Sequence, residues 1–71
     1  MMNTFQSGAE EALAEIEQAL QSSDPYAYVM DKWTESALAC DLAETQNDAS
    51  TYIYEQEKIV VYRRYLATWS A

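Results

Sequence analysis

A chain of 71 residues with twelve carboxylates, four basic side chains and no histidine carries a formal net charge of -8 and has room for one domain with one hydrophobic core. That charge repels nucleic acid and anionic lipid and attracts basic surfaces. With no histidine and Cys40 as the single cysteine, the composition excludes a Cys/His metal site, a disulfide framework and a histidine-activated nucleophile.

The charge is unevenly placed. Ten of the acids lie between Glu10 and Asp48, where Lys32 is the one base; beyond them Glu55 and Glu57 stand against Lys58, Arg63 and Arg64. Hydrophobic types make up 49% of the residues, with two Trp, six Tyr and one Phe, which is more than an acidic disordered tail carries, so a folded globule is expected. The opening MMNTFQSG has neither a basic nor an apolar region of the kind a signal peptide needs. No apolar run approaches the roughly 20 residues that cross a bilayer. A lone cysteine also suits a reducing compartment, so the expected location is the cytoplasm.

The first element is announced by Ser7-Gly8-Ala9-Glu10, which fits the capping box, a Ser followed three residues later by Glu. Behind it Ala9, Ala12, Leu13, Ile16, Ala19 and Leu20 fall on one stripe at helical spacing, predicting a helix over about 8–21. Glu11 and Glu15 lie on one flank of it and Glu10 and Glu17 on the other, and Ser22-Ser23 closes it. Asp24-Pro25 starts the second helix, with Asp24 as cap and Pro25 at the first helical position, where its missing N–H had no partner anyway. That helix is expected to run over 25–45 with Tyr26, Val29, Met30, Trp33, Ala37 and Cys40 on its apolar face and Leu38 and Leu42 beside it. Trp33-Thr34-Glu35-Ser36 is its weakest stretch, where a break would make two helices of one. Gln46-Asn47-Asp48 is the loop, with Asp48 or Ser50 capping the next element.

The last segment is predicted as a helix over 50–69. Tyr52, Ile59, Tyr62, Leu66 and Trp69 share one stripe; Tyr54, Val61 and Tyr65 form a second patch, and Ile53, Val60 and Ala67 a third. The β-branched and aromatic residues of 51–54 and 59–62 would also suit two strands. Their connection, Glu55-Gln56-Glu57-Lys58, lacks the Gly, Asn or Asp of a tight turn and is made of good helix formers, which decides for helix. The expected fold is all-α, a three-helix bundle in a single domain, or four helices if the middle one breaks.

No chemistry is legible beyond this. Cys40 reads as a small hydrophobe on an apolar face. Ser7, Ser22, Ser23, Ser36 and Ser50 read as caps and exposed positions. Glu11/Glu15 and Asp31/Glu35 are i,i+4 pairs on outward faces, and solvated acids are poor acid–base catalysts. A calcium loop would need alternating oxygen ligands about a central Gly, which no segment supplies. Arg63 and Arg64 are expected to pair with acids of the first two helices rather than to bind nucleic acid. No enzyme activity, metal or cofactor is expected.

The acids themselves are the remaining signal. Like charges at i,i+4 cost an isolated helix roughly 0.2–0.5 kcal/mol each. Acids at that spacing stand about 6 Å apart along the axis, a row that stands in for a phosphate backbone. The expected function is therefore a protein-binding inhibitor. Glu11, Glu15, Asp24, Asp31, Glu35 and Asp41 would meet Lys and Arg on the basic, nucleic-acid-binding surface of a larger protein. The alternative is a homodimeric helical protein, acidic for solubility alone, with Tyr54, Val61 and Tyr65 as its interface. In size and charge the chain resembles the inhibitors that phages carry against host defence, anti-CRISPR and anti-restriction proteins among them, and also bacteriocin immunity proteins and small antitoxins. The resemblance is one of composition, with no functional residue carried over; it implies a protein-binding inhibitor at work in the bacterial host cell.

Overall fold

The computed structural model describes residues 7–69, Trp69 by its backbone alone, so its expected place on the apolar stripe lies outside the described side chains. Three helices follow one another: α1 is Gly8–Leu20, α2 is Pro25–Thr45 and α3 is Ala49–Trp69. No strand occurs among the described residues, so the segment with strand character is helical throughout.

Each start is capped as its residue types require. The Ser7 side chain accepts from the Glu10 N–H at 3.1 Å, and Asp24 Oδ1 accepts from the Ala27 N–H at 3.2 Å with Pro25 opening the helix behind it. α2 does not break at Thr34, whose hydroxyl instead donates to the Met30 carbonyl one turn back at 2.9 Å. The α2–α3 turn is the tightest feature. Asn47 takes the left-handed conformation, φ 56°, just past the end of α2. The Asp48 N–H then reaches the Ala43 carbonyl at 2.8 Å and the Asn47 N–H the Glu44 carbonyl at 3.2 Å, the paired bonds of a Schellman motif. Asp48 next caps α3, accepting from the Thr51 N–H at 3.2 Å and the Thr51 hydroxyl at 2.7 Å. One residue closes a helix and its neighbour opens the next.

α3 packs on both other helices, whereas α1 and α2 touch each other least. The molecule is a slab of 35 × 33 × 18 Å. Its seams are lined by small side chains: Gly8, Ala12 and Ala19 on α1, and Ser36, Cys40 and Ala43 on α2 are buried. Gly8 is essential to the approach of α1, because a Cβ there would run into the Tyr54 carbonyl oxygen. Its N–H donates to Glu57 Oε1 at 2.8 Å. Tyr62, fully buried at 0% exposure, is the large side chain at the centre, with Ile16 and Val29 beside it and Tyr28, Trp33, Val61, Tyr65 and Leu66 packed around.

Several expected positions differ. Leu13 and Leu20 of the α1 stripe and Tyr26 of the α2 face stand exposed, because the narrow small-residue seams bury only the centre of each stripe. Ser36, expected outside, is buried in the α2 seam, where a small side chain lets the helices approach. Trp33 packs against the core but is half-buried, and its indole N–H has no partner among the described residues.

Candidate functional site

The six acids expected to bind a partner separate into two groups. Glu11 and Glu15 are half-buried on α1. Glu15 Oε1 accepts from the Tyr28 hydroxyl at 3.0 Å and lies 3.9 Å from Lys32 Nζ. Lys32 also stands 3.8 Å from Glu35 Oε1 and 5.7 Å from the centroid of the Tyr28 ring. The bond to Glu15 is the main reason the Tyr28 hydroxyl is held above its usual pKa. The charges of Glu15 and Glu11 also help burial raise Tyr62 far above the ordinary tyrosine range. Glu15 is thus engaged within the bundle, whereas Glu11 is half-buried beside it.

Asp24, Asp31, Glu35 and Asp41 are exposed on or just before α2. At 100° per residue, Asp31, Glu35, Leu38 and Leu42 fall within about 60° of one another on a stripe about 17 Å long, with the cap Asp24 before its start and Asp41 about 60° to one side. The stripe is acidic over its first half and apolar over its second. Leu38 is 64% and Leu42 57% exposed, one turn apart on the same side of α2. Acids and leucines together make a ridge with charge to attract a basic surface and apolar area to stay on it. The pattern is present in the spacing of Leu38 and Leu42 from Asp31 and Glu35, seven residues each. Sequence reasoning misses it because both leucines also extend the expected apolar face of α2.

On α3 the apolar residues are apportioned otherwise than the sequence suggests. Val61 and Tyr65 pack against the core. Tyr54 is half-buried with Lys58 Nζ 5.4 Å from its ring centroid, and burial followed by the nearby Glu11 and Glu55 charges raises its hydroxyl pKa. The side chains left outward are Ile53, 58% exposed, and Val60, 45% exposed. Arg63 and Arg64 do not pair with acids of α1 or α2: both are exposed, and among the described residues the ion pairs are those of Lys32 and of Lys58, the latter 3.5 Å from Glu55 Oε1.

Cys40 is buried, its thiol 3.8 Å from the Tyr52 carbonyl. Burial, and then the charges of Glu55, Asp41 and Glu44, push its pKa up, opposite to what a reactive thiolate requires. Among the described residues no three Cys, Asp or Glu side chains gather as a metal site, and no helix is long and apolar enough to cross a membrane. No protein-family model, curated protein or solved structure matches the chain.

Proposed function

We propose that the protein is an acidic inhibitor that lays the outer stripe of α2 on a basic, nucleic-acid-binding surface of a larger protein. The observation that supports this reading is the ridge of Asp31, Glu35, Leu38 and Leu42, all exposed on one side of α2, with the exposed cap Asp24 before it. The carboxylates steer encounter and set register against Lys and Arg, since charges at the rim of an interface act mainly on association rate. The two leucines supply the desolvated contact that slows release. A partner built to hold a nucleic-acid backbone offers the matching positive groove, which the inhibitor fills by mimicry or blocks by its bulk. The class is that of phage-type anti-defence proteins, anti-CRISPR or anti-restriction, acting in the cytoplasm of a bacterial host; size, charge and the α2 ridge support it.

The test starts from a bacterial lysate passed over the immobilised chain at low salt, with the retained protein identified and purified. Reversing Asp31 and Glu35 to Lys should slow its association several-fold and flatten the salt dependence. Leu38→Ser with Leu42→Ser should instead speed dissociation, with circular dichroism unchanged in both variants. DNA or RNA should compete with the chain for the partner. A partner that holds nucleic acid and the chain at once, and that is indifferent to both pairs of substitutions, would refute the reading.

A further inference from the structure

We infer that α3 is a self-association surface on which two copies of the chain pair antiparallel about a two-fold axis at Val60. This inference rests on α3 alone and does not depend on the α2 ridge.

The outward stripe of α3 is Ile53, Val60 and Ala67, spaced seven residues apart and therefore within about 40° of one another on the helix surface. Two shallow grooves flank Val60 along this stripe. One, of about 480 Å³, is lined by Tyr52, Ile53, Gln56, Glu57 and Val60. The other, of about 340 Å³, is lined by Val60, Arg63, Arg64 and Ala67. The first groove carries the acid and the second the bases, with Val60 common to both.

That arrangement is self-complementary. A two-fold axis at Val60, normal to the helix, sets each residue before Val60 opposite one the same distance after it in the other copy and keeps each flank facing itself. Ile53 then meets the other copy's Ala67, and Val60 meets Val60. Glu57 and Arg64 lie on one flank, three residues before Val60 and four after it, so each Arg64 meets Glu57 of the other copy. Gln56 and Arg63 meet likewise on the opposite flank. Every contact away from the axis occurs twice and Val60 meets its own counterpart on it, as an isologous interface requires. Within one copy Glu57 and Arg64 are about 10 Å apart along the axis, too far to pair. Glu57 makes no ion pair among the described residues; its Oε1 is fixed by the Gly8 N–H, which holds the carboxylate in place while a second oxygen remains for a cation.

Electrostatics selects this face over the others. Residues 1–48 hold ten acids and one base, whereas α3 holds Glu55 and Glu57 against Lys58, Arg63 and Arg64. It is the one helix that a second copy approaches without meeting net negative charge. The remaining repulsion between the acidic parts is long-range and is screened at physiological ionic strength, where the Debye length is about 8 Å.

Sedimentation equilibrium of the full chain at physiological salt should show a monomer–dimer equilibrium at micromolar concentrations. Val60→Glu should abolish it, and Arg64→Glu should weaken it about tenfold, since two exposed pairs become two repulsions. The register is read by cross-linking in a Cys40→Ser background with retained helix content. Val60→Cys should oxidise to a disulfide dimer by itself. Ile53→Cys should not, but should couple to Ala67→Cys when the two variants are mixed. A chain that stays monomeric to millimolar concentration overturns the inference. So does an Ile53→Cys variant that couples to itself as readily as Val60→Cys, the mark of a parallel pairing.

Discussion

α2 and α3 are each 21 residues long and meet across a three-residue turn, yet they use their apolar residues differently. α2 packs chiefly on one neighbour and buries a thin seam of Val29, Ser36, Cys40 and Ala43, which leaves its leucines and acids outside. α3 packs on two neighbours and turns Tyr62 fully inward, with Val61, Tyr65 and Leu66 against the same core. An all-round apolar helix in a small bundle therefore reports first how many neighbours it has. Only the stripe left over, Ile53 and Val60, is open to a partner.

The difference between the two helices is tested most strongly by emptying the centre. Tyr62→Ala should cost about 3–5 kcal/mol, the usual range for a large core aromatic, and so largely unfold a small domain. Truncating the α2 seam at Cys40→Ala should cost only about 1 kcal/mol, because a thiol fills little volume. Thermal melts followed by circular dichroism decide. If the two variants melt alike, α3 is not the element on which the bundle is built.

A smaller effect is expected where α3 meets its second neighbour. Gly8→Ala favours helix locally, but its Cβ would collide with the Tyr54 carbonyl and crowd Glu57 Cβ at 2.9 Å. A backbone carbonyl cannot move aside, so the clash outweighs propensity, and a loss of about 1–3 kcal/mol is expected. Amide exchange should show α1 opening before the α2–α3 pair. A Gly8→Ala variant as stable as the parent would mean that α1 docks with room to spare.

At the turn between the two long helices, Asn47→Ala should cost roughly 1 kcal/mol, because alanine is strained at positive φ, whereas Asn47→Gly should be neutral or mildly stabilising. Equal melting temperatures for the two variants would show that the turn relaxes without the left-handed residue.

How far the sequence reveals this molecule follows the same division. Capping is local chemistry: Ser7 and Asp24-Pro25 mark the first two helix starts, and of the two caps expected for the third, Asp48 and Ser50, Asp48 is the one that acts. Which side of a helix is buried is a question about neighbours, and there the sequence misleads in particular places. Leu13 and Leu20 share the helical period of Ile16 but flank a seam too narrow to cover them. Tyr54, Val61 and Tyr65 look like a surplus patch only if α3 has neighbours on fewer sides than it does. Of the acids, Asp31 and Glu35 are outward as their spacing implies. Glu15 is not, because the Tyr28 hydroxyl and Lys32 that engage it come from another helix, thirteen or more residues away, where no local pattern reaches.

The smallest effect at neutral pH is also the most specific to the centre of the bundle. The Tyr62 hydroxyl is buried with no hydrogen-bond partner among the described residues, so deleting it removes an uncompensated polar group. Tyr62→Phe should therefore lie within about 0.5 kcal/mol of the parent or be slightly more stable. The two should part at alkaline pH. Burial first, then the charges of Glu15, Glu11 and Glu55, raise the Tyr62 pKa above its ordinary value of 10.0. The folded state thus holds this proton more tightly than the unfolded chain. Stability from that difference is complete below the unfolded pKa and is lost as pH rises above it towards the folded one. Tyr54 and Tyr28 are shifted the same way and remain in the variant, so the difference between the two proteins isolates Tyr62. Urea melts of parent and Tyr62→Phe should coincide at neutral pH, and above about pH 10 the parent should lose stability faster. Parallel losses in the two proteins would mean that Tyr62 ionises as it does in the unfolded chain, and that the centre of α3 is wetter than its packing requires.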